Sequence, residues 1–177
     1  KHVDNITVPI SNLLFKSSLT DKHSAIPKNR KDINAEIIPS TYVPARNLIF
    51  LSIASAYAES QQIGNIFIGV NSQDYSGYPD CRNDFIESFE KTLGLATKSG
   101  REGRPIKIHT PLSSLSKKQI VLLGQQLNAP LELTWSCYDP LYLGQEIVPC
   151  GSCDSCVLRE LGFKEAGTRD PAKKKQP

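Results

Sequence analysis

Three thiols fall within the seven residues CGSCDSC, 150–156, and a fourth stands upstream in TWSCY at Cys137. Cys150, Cys153 and Cys156 repeat with two residues between neighbours. Four thiolates suit a tetrahedral zinc ion, with Zn–S bonds of about 2.3 Å and no open coordination position, so such a site is structural. Arg159 and Lys164 are near enough in sequence to offset its net negative charge. An iron–sulfur cluster is the rival, because C-x2-C-x2-C also occurs in ferredoxins. Those runs continue to a further cysteine and a proline, whereas this one continues VLRELGF. Disulfides or simply packed thiols are a third reading. Cys81 stands apart, either packed or part of a ligand loop.

A second stretch with chemical potential is NSQDYSGYPDCR, residues 71–82. It carries Asn71, Asp74, Tyr75, Tyr78, Asp80 and Arg82. Aromatics stack on a planar ligand, carboxylates accept from ring N–H groups, and arginine forks a carboxylate or phosphate. The plainer reading is a turn-rich surface loop that caps the following helix. Lys117 stands beside an expected helix N-terminus, a place that favours anions, although a lone lysine there is commonly just solvated. Arg46 and Asn47, in VPARN, mark a loop-to-helix junction that either binds or caps.

The elements that must position these groups follow from periodicity. NITVPI, residues 5–10, alternates as a strand. The long polar stretch after it reads as a functional lid or a disordered segment. TYVPARNLIFLSIASAYAESQQIG reads as a helix with Pro44 in its first turn, a stripe of Leu48, Leu51, Ala54 and Ala58 widened by Ile49, Ile53 and Tyr57, and Gly64 as its left-handed cap. NIFIGV is an apolar run typical of a strand covered on both faces. Phe85, Phe89, Leu93 and Ala96 keep helical spacing, and KSGREGRP breaks the chain before a strand at IKIHTP. Ser116 and Gln119 form a capping box for a helix through Leu127, with Ile120, Leu123 and Leu127 inward. This alternation predicts an α/β fold, a parallel sheet with helices on its faces. Ligands gather at the carboxyl ends of strands in such a sheet, where both NSQDYSGYPDCR and TPLSSLSKK lie.

The totals narrow the field. At 177 residues the chain can bury a substantial core. Its formal charge of +3 is matched by Lys173, Lys174 and Lys175 alone, in a tail expected to be disordered. The near-neutral body lacks the basic face of a nucleic-acid binder. No apolar run of about 18 residues predicts a membrane span, and the N-terminus lacks the features of a signal peptide. The odd cysteine count, concentrated late in the chain, fits cytoplasmic thiols holding a metal better than a secreted disulfide scaffold.

Taken together, TYVPARN, GVNSQDYSGYPDCR, TWSCY and PCGSCDSCVLRELGFKEAG followed by DPA resemble the 7-cyano-7-deazaguanine synthases of queuosine biosynthesis. The likeness runs from residue 17 to residue 171. The resemblance implies an adenine-nucleotide α-hydrolase-like fold of the ATP-pyrophosphatase type: an α/β domain over residues 1–130, a zinc element over 131–171 and a tail over 172–177. The implied reaction is ligase chemistry, in which 7-carboxy-7-deazaguanine and ammonia become the 7-cyano product with ATP. Adenylation makes the carboxylate oxygen a leaving group and ammonia gives the amide. A second adenylation of the amide oxygen, followed by loss of AMP, leaves the nitrile. Mg2+ would shield the triphosphate. The implied zinc ligands are Cys137, Cys150, Cys153 and Cys156. Asp74, Tyr75, Tyr78, Asp80 and Arg82 match the deazaguanine side, and Arg46, Asn47 and Lys117 the nucleotide side, with Lys117 and Asp80 expected to be catalytic. Small-molecule substrates, a homodimer and a cytoplasmic setting complete the implication.

The chain departs from the family at one point: it has no serine–glycine–glycine–x–aspartate–serine loop to cradle pyrophosphate. That loop and the first strand are expected to precede Lys1, and these 177 residues alone are expected to be inactive. A tRNA thiolase of the same fold and a non-catalytic zinc-ribbon interaction module are the competing readings. The first predicts a free sulfur-carrying thiol, and the second leaves the GYPDCR loop unexplained.

Overall fold

The computed structural model describes residues 5–9, 16–21, 23–30, 37–71 and 77–172. Helix α1 (Arg46–Ser60) leads to strand β1 (Asn65–Phe67), helix α2 (Asn83–Ala96), the single turn α3 (Lys98–Arg101), strand β2 (Lys107–His109) and helix α4 (Lys117–Gln126). A hairpin of β3 (Leu141–Leu143) and β4 (Glu146–Val148) then precedes helix α5 (Asp154–Glu165). β1 and β2 pair in parallel with Ile66 opposite Ile108, and β3 and β4 pair antiparallel. The expected helix–strand alternation is present, in a mixed α/β fold with a small parallel sheet.

One face of that sheet is covered. Ile66, Ile68, Ile106 and Ile108 pack with Leu51 and Ala58 of α1 and with Ile86, Phe89 and Leu93 of α2. The opposite face carries Phe67, 70% exposed and stacked on His109 with ring centroids 4.6 Å apart. Continuous apolar character in NIFIGV thus corresponds to one buried face and one open face among the described residues, not to burial on both.

Other expectations are corrected where tertiary contacts override periodicity. Residues 5–9 are exposed and form no strand, because no described segment pairs with them. The buried face of α1 is Asn47, Leu51, Ser55 and Ala58, while Leu48 and Tyr57 face outward. Pro44 lies before the helix, and the left-handed residue after it is Gln62, with φ 57°, instead of Gly64. In α2 Ile86 joins Phe89 and Leu93 in the core, and Ala96 is exposed. The capping box of α4 forms as expected, with Gln119 N–H donating to Ser116 Oγ and Ser116 N–H to Gln119 Oε1. Its buried residue is Val121, however, and Leu127, the C-cap beyond the last helical residue Gln126, is 68% exposed. The contact between α4 and α5 is close at Gly162, where a Cβ would come within 2.7 Å of Lys117 Cβ. The basic tail, Lys173 to Lys175, lies outside the described residues.

Candidate functional site

The cysteine element is assembled by short-range bonds. The Cys150 N–H donates to Cys137 Sγ at 3.2 Å, and the Cys153 N–H donates to Cys150 Sγ at 3.4 Å. The four sulfurs of Cys137, Cys150, Cys153 and Cys156 all lie within 4.8 Å of one another. Tetrahedral zinc with bonds of about 2.3 Å separates its sulfurs by about 3.8 Å, so this donor set fits a four-thiolate metal. All five cysteines are free of disulfides, which removes the staple reading. Burial pushes the Cys137 and Cys156 thiols up. Burial acts on Cys150 as well, but the N–H groups of Ser152 and Cys153 outweigh it and bring that thiol down to about 6. A backbone N–H aimed at sulfur favours thiolate, the form a metal needs.

Two sets of contacts fix this element to the body. Residues 26–30 run along it as a strap: Ile26 packs on the cysteines, Lys28 bridges Cys153, and the Asn29 N–H donates to Ser152 O at 2.8 Å. Arg30 pairs with Asp154 at 3.0 Å and Lys28 with Asp139 at 2.7 Å. On the other side Arg159 forks Asp170, with Nε 2.6 Å from Oδ2 and Nη2 2.8 Å from Oδ1, and also donates to Thr134 and Ser136. Arg159 is therefore engaged with a buried carboxylate rather than available to offset thiolate charge, and Lys164 is exposed.

A cavity of about 590 Å³ opens between this element and the carboxyl end of β1. It is lined by Arg46, Asn47, Tyr78 and Lys117 of the expected site residues, and by Asn71 and Cys81. Asn71 braces the two strand-end loops, its Nδ2 donating to Leu112 O and Leu115 O. Asp80 does not face this cavity. With 6% exposure, it accepts from the Asn47 N–H at 2.8 Å and so caps α1, while Asn47 Nδ2 donates back to Asp80 O and to Cys81 Sγ. Burial first, then the Asp80 charge, pushes the Cys81 thiol up to about 11, so it is a packed thiol. Asp80 and Arg82 line a separate hollow with Tyr42 and Phe85. Asp74 and Tyr75 lie outside the described residues.

The start of α1 carries local strain. Ala45 adopts φ 54° and ψ 24°, a left-handed conformation uncommon for a residue with a Cβ, and its N–H donates to Tyr42 Oη at 2.9 Å. The turn presents Arg46 and Asn47 to the cavity. Strain of this kind persists only where the surroundings over-determine it.

Sequence reasoning missed Thr41, Tyr138, Ser155 and Gly162, which also line the cavity. A tyrosine directly after one cysteine and a serine between two others carried no separate signal, because the ligand spacing explained the whole stretch.

A family model described as queuosine biosynthesis protein QueC matches residues 2–167. The chain belongs to this family. It is 53% identical over 158 residues to a 7-cyano-7-deazaguanine synthase of Leptospira interrogans, covering 89% of this chain and 63% of that protein. The corresponding figures are 52% over 159 residues, 90% and 68% for the enzyme of that name from Magnetococcus marinus. For that of Nostoc sp. they are 52% over 156 residues, 88% and 66%. This QueC-family chain thus spans 63% of the length of the Leptospira relative, a little under two thirds. Among the described residues no helix is long and apolar enough to cross a membrane.

Proposed function

We propose that this chain forms the substrate cavity of a 7-cyano-7-deazaguanine synthase that joins 7-carboxy-7-deazaguanine and ammonia at the expense of ATP. The observation that carries the reading is the cavity itself: Arg46, Asn47, Tyr78 and Lys117 converge at a strand end, in a chain whose close relatives bear that name. Cationic and hydroxyl donors suit a ligand that brings a carboxylate and phosphates. Lys117, first residue of α4, faces phosphate where the helix dipole favours anions. Tyr78 offers a ring and a hydroxyl to the deazapurine. Asp80 acts on the reaction through Asn47, whose backbone N–H it holds at the start of α1. Asp74, Tyr75 and Arg82 remain proposed as further contacts to the deazapurine.

Chemically, a carboxylate oxygen leaves poorly until it is adenylated. Attack of ATP's α-phosphorus by that oxygen releases pyrophosphate, and ammonia then displaces AMP to give the amide. Adenylation of the amide oxygen by a second ATP, followed by loss of AMP and two N–H protons, leaves the nitrile. Mg2+ would shield the triphosphate and the departing pyrophosphate during these steps. Cys137, Cys150, Cys153 and Cys156 would hold a structural zinc that fixes the wall formed by α5. The finer fold reading, an adenine-nucleotide α-hydrolase-like twisted sheet, and a homodimer belong to the same proposal.

The test is AMP release by zinc-loaded protein with Mg–ATP, ammonia and the deazapurine acid, with the nitrile identified by mass. Release that depends on the acid is expected. Its absence in folded, metal-loaded protein would favour a non-catalytic zinc module.

A further inference from the structure

Helix α5 is tied at residues spaced three apart. Cys156 belongs to the four-cysteine group, and Arg159 forks Asp170. Gly162 is buried against Lys117, the first residue of α4. Gly162 and Lys117 both line the cavity. Six residues separate Cys156 from Gly162, about 9 Å of helix. A Cβ at Gly162 would come within 2.7 Å of Lys117 Cβ, 3.3 Å of its carbonyl carbon and 3.4 Å of its carbonyl oxygen.

Glycine inside a helix is destabilising relative to alanine, because it gives up more conformational freedom on folding. Gly162 lies within α5 and is not among the glycines with positive φ, so no left-handed turn requires it. What requires it is space. The atoms in the way are the Cβ and backbone of Lys117, which no rotamer change can move. Gly124, inside α4, gives the contrast. A Cβ there would meet Leu131 Cδ2 at 3.0 Å, the end of a flexible side chain. The Ser116–Gln119 box shapes the first turn of α4, whereas the contact at Gly162 sets how near that turn lies to α5.

We propose that Gly162 is a positioning residue for nucleotide binding: by letting α5 lie against the Lys117 backbone, it places the Lys117 ammonium for the phosphates of ATP. The role rests on the synthase reading above, in which Lys117 meets ATP. The helix that seats this lysine is the one that carries Cys156, so the four-cysteine element serves the nucleotide as well as the fold.

Gly162→Ala should push Lys117 away by about 1 Å, the difference between 2.7 Å and an ordinary carbon–carbon contact. Misplacement of that size can cost about 100-fold, and the flexible lysine stem recovers part of it, so Kd for Mg–ATP should rise about tenfold. Kd for 7-carboxy-7-deazaguanine should stay within about threefold, with metal content unchanged, because only the phosphate contact is disturbed. Gly124→Ala, the control in α4, should leave both Kd values within about threefold, because Leu131 can yield. Lys117→Ala keeps the Cβ but lacks the ammonium. Adding Gly162→Ala to it should therefore still lower Tm, yet leave Kd for Mg–ATP where Lys117→Ala alone puts it. Calorimetry on these variants decides. An unchanged Kd for Mg–ATP in Gly162→Ala, equal rises for ATP and the acid, or a further ATP loss in the double variant would overturn the role. If Gly162→Ala fails to fold or loses metal, hydrogen exchange on wild-type protein takes its place. Mg–ATP should then slow exchange at the Gly162 and Phe163 amides in wild type and not in Lys117→Ala, and an absence of slowing would overturn the role. Wild-type protein that binds no Mg–ATP sinks the synthase reading itself, and this role falls with it.

Discussion

At the cysteine end of the cavity, the backbone N–H bonds onto the sulfurs join residues close in sequence: Cys153 to Cys150 three residues apart, and Cys150 to Cys137 thirteen apart. At the α1 end the ties are remote. Asp80 meets Asn47 across 33 residues, and Tyr78 meets Thr41 across 37. One wall of the same cavity is thus built from a local pattern that a metal can close. The other depends on the tertiary fold first bringing distant side chains together. The two walls should therefore fail differently, the first with the metal and the second with the packing.

The most severe way to separate them is to take the proposed zinc away. A structural zinc contributes an apparent ~10 kcal/mol or more in small zinc-dependent modules, so chelation or Cys153→Ser should lower Tm more than any single substitution elsewhere. The cluster that joins α1, α2, β1 and β2 shares no residue with the cysteines, and its amides should keep their slow hydrogen exchange while those of α5 lose protection. Exchange measured with and without chelator decides this. Equal loss in both regions would mean that the two walls are one cooperative unit.

The next largest effect is expected at Arg159. Its partner Asp170 is 5% exposed, and removing one member of a buried pair strands the other. Arg159→Ala should cost about 3–5 kcal/mol in denaturant unfolding. Arg159→Lys should recover little, because the fork onto both Asp170 oxygens needs a guanidinium. Full recovery by lysine would reduce the contact to simple charge pairing.

Asp80→Ala probes the remote wall. Losing the acceptor for the buried Asn47 N–H should cost about 1–3 kcal/mol, with metal content unchanged. Asp80→Asn adds a sharper readout. The Asp80 charge helps raise the Cys81 thiol, so removing it should lower that thiol toward its ordinary value. Alkylation of Cys81 at about pH 9 should then accelerate, since the thiolate is the nucleophile. An unchanged rate would place Asp80 too far away to matter electrostatically.

Legibility divides along the same line. The ligand spacing, the Ser116–Gln119 box and the helix–strand alternation could be read because each is written within a few residues. What could not be read depends on partners far along the chain. The strap of residues 26–30 reaches Asp154 from Arg30 across 124 residues. Leu127 kept helical spacing yet faces solvent, because the helix ends at Gln126, while the close approach to α5 is at the other end, between Lys117 and Gly162. Asp80 carried the right chemistry for a site residue, but only the folded chain reveals that its carboxylate is taken by an α1 amide. The left-handed Ala45 had no sequence signal at all, since alanine is not a residue that advertises positive φ.

The two helix starts at the cavity give the finest version of the comparison. α4 is capped from within by Ser116, whose oxygen takes the Gln119 N–H, whereas α1 is capped by Asp80 from another element. A local cap should influence its own helix and little else. Ser116→Ala is therefore expected to cost about 1 kcal/mol. Because Lys117 directly follows Ser116 and packs on Gly162, its position should survive the loss of the cap. On the proposed synthase reaction, KM for ATP should then change less in Ser116→Ala than KM for the deazapurine acid changes in Asp80→Ala, although both variants lose a helix cap. Steady-state kinetics on the two, set beside their unfolding free energies, tests this directly. Equal kinetic damage per kcal/mol lost would mean that cap position does not matter and that both act only through global stability. Unequal damage would assign Asp80 a role in shaping the site that Ser116 lacks.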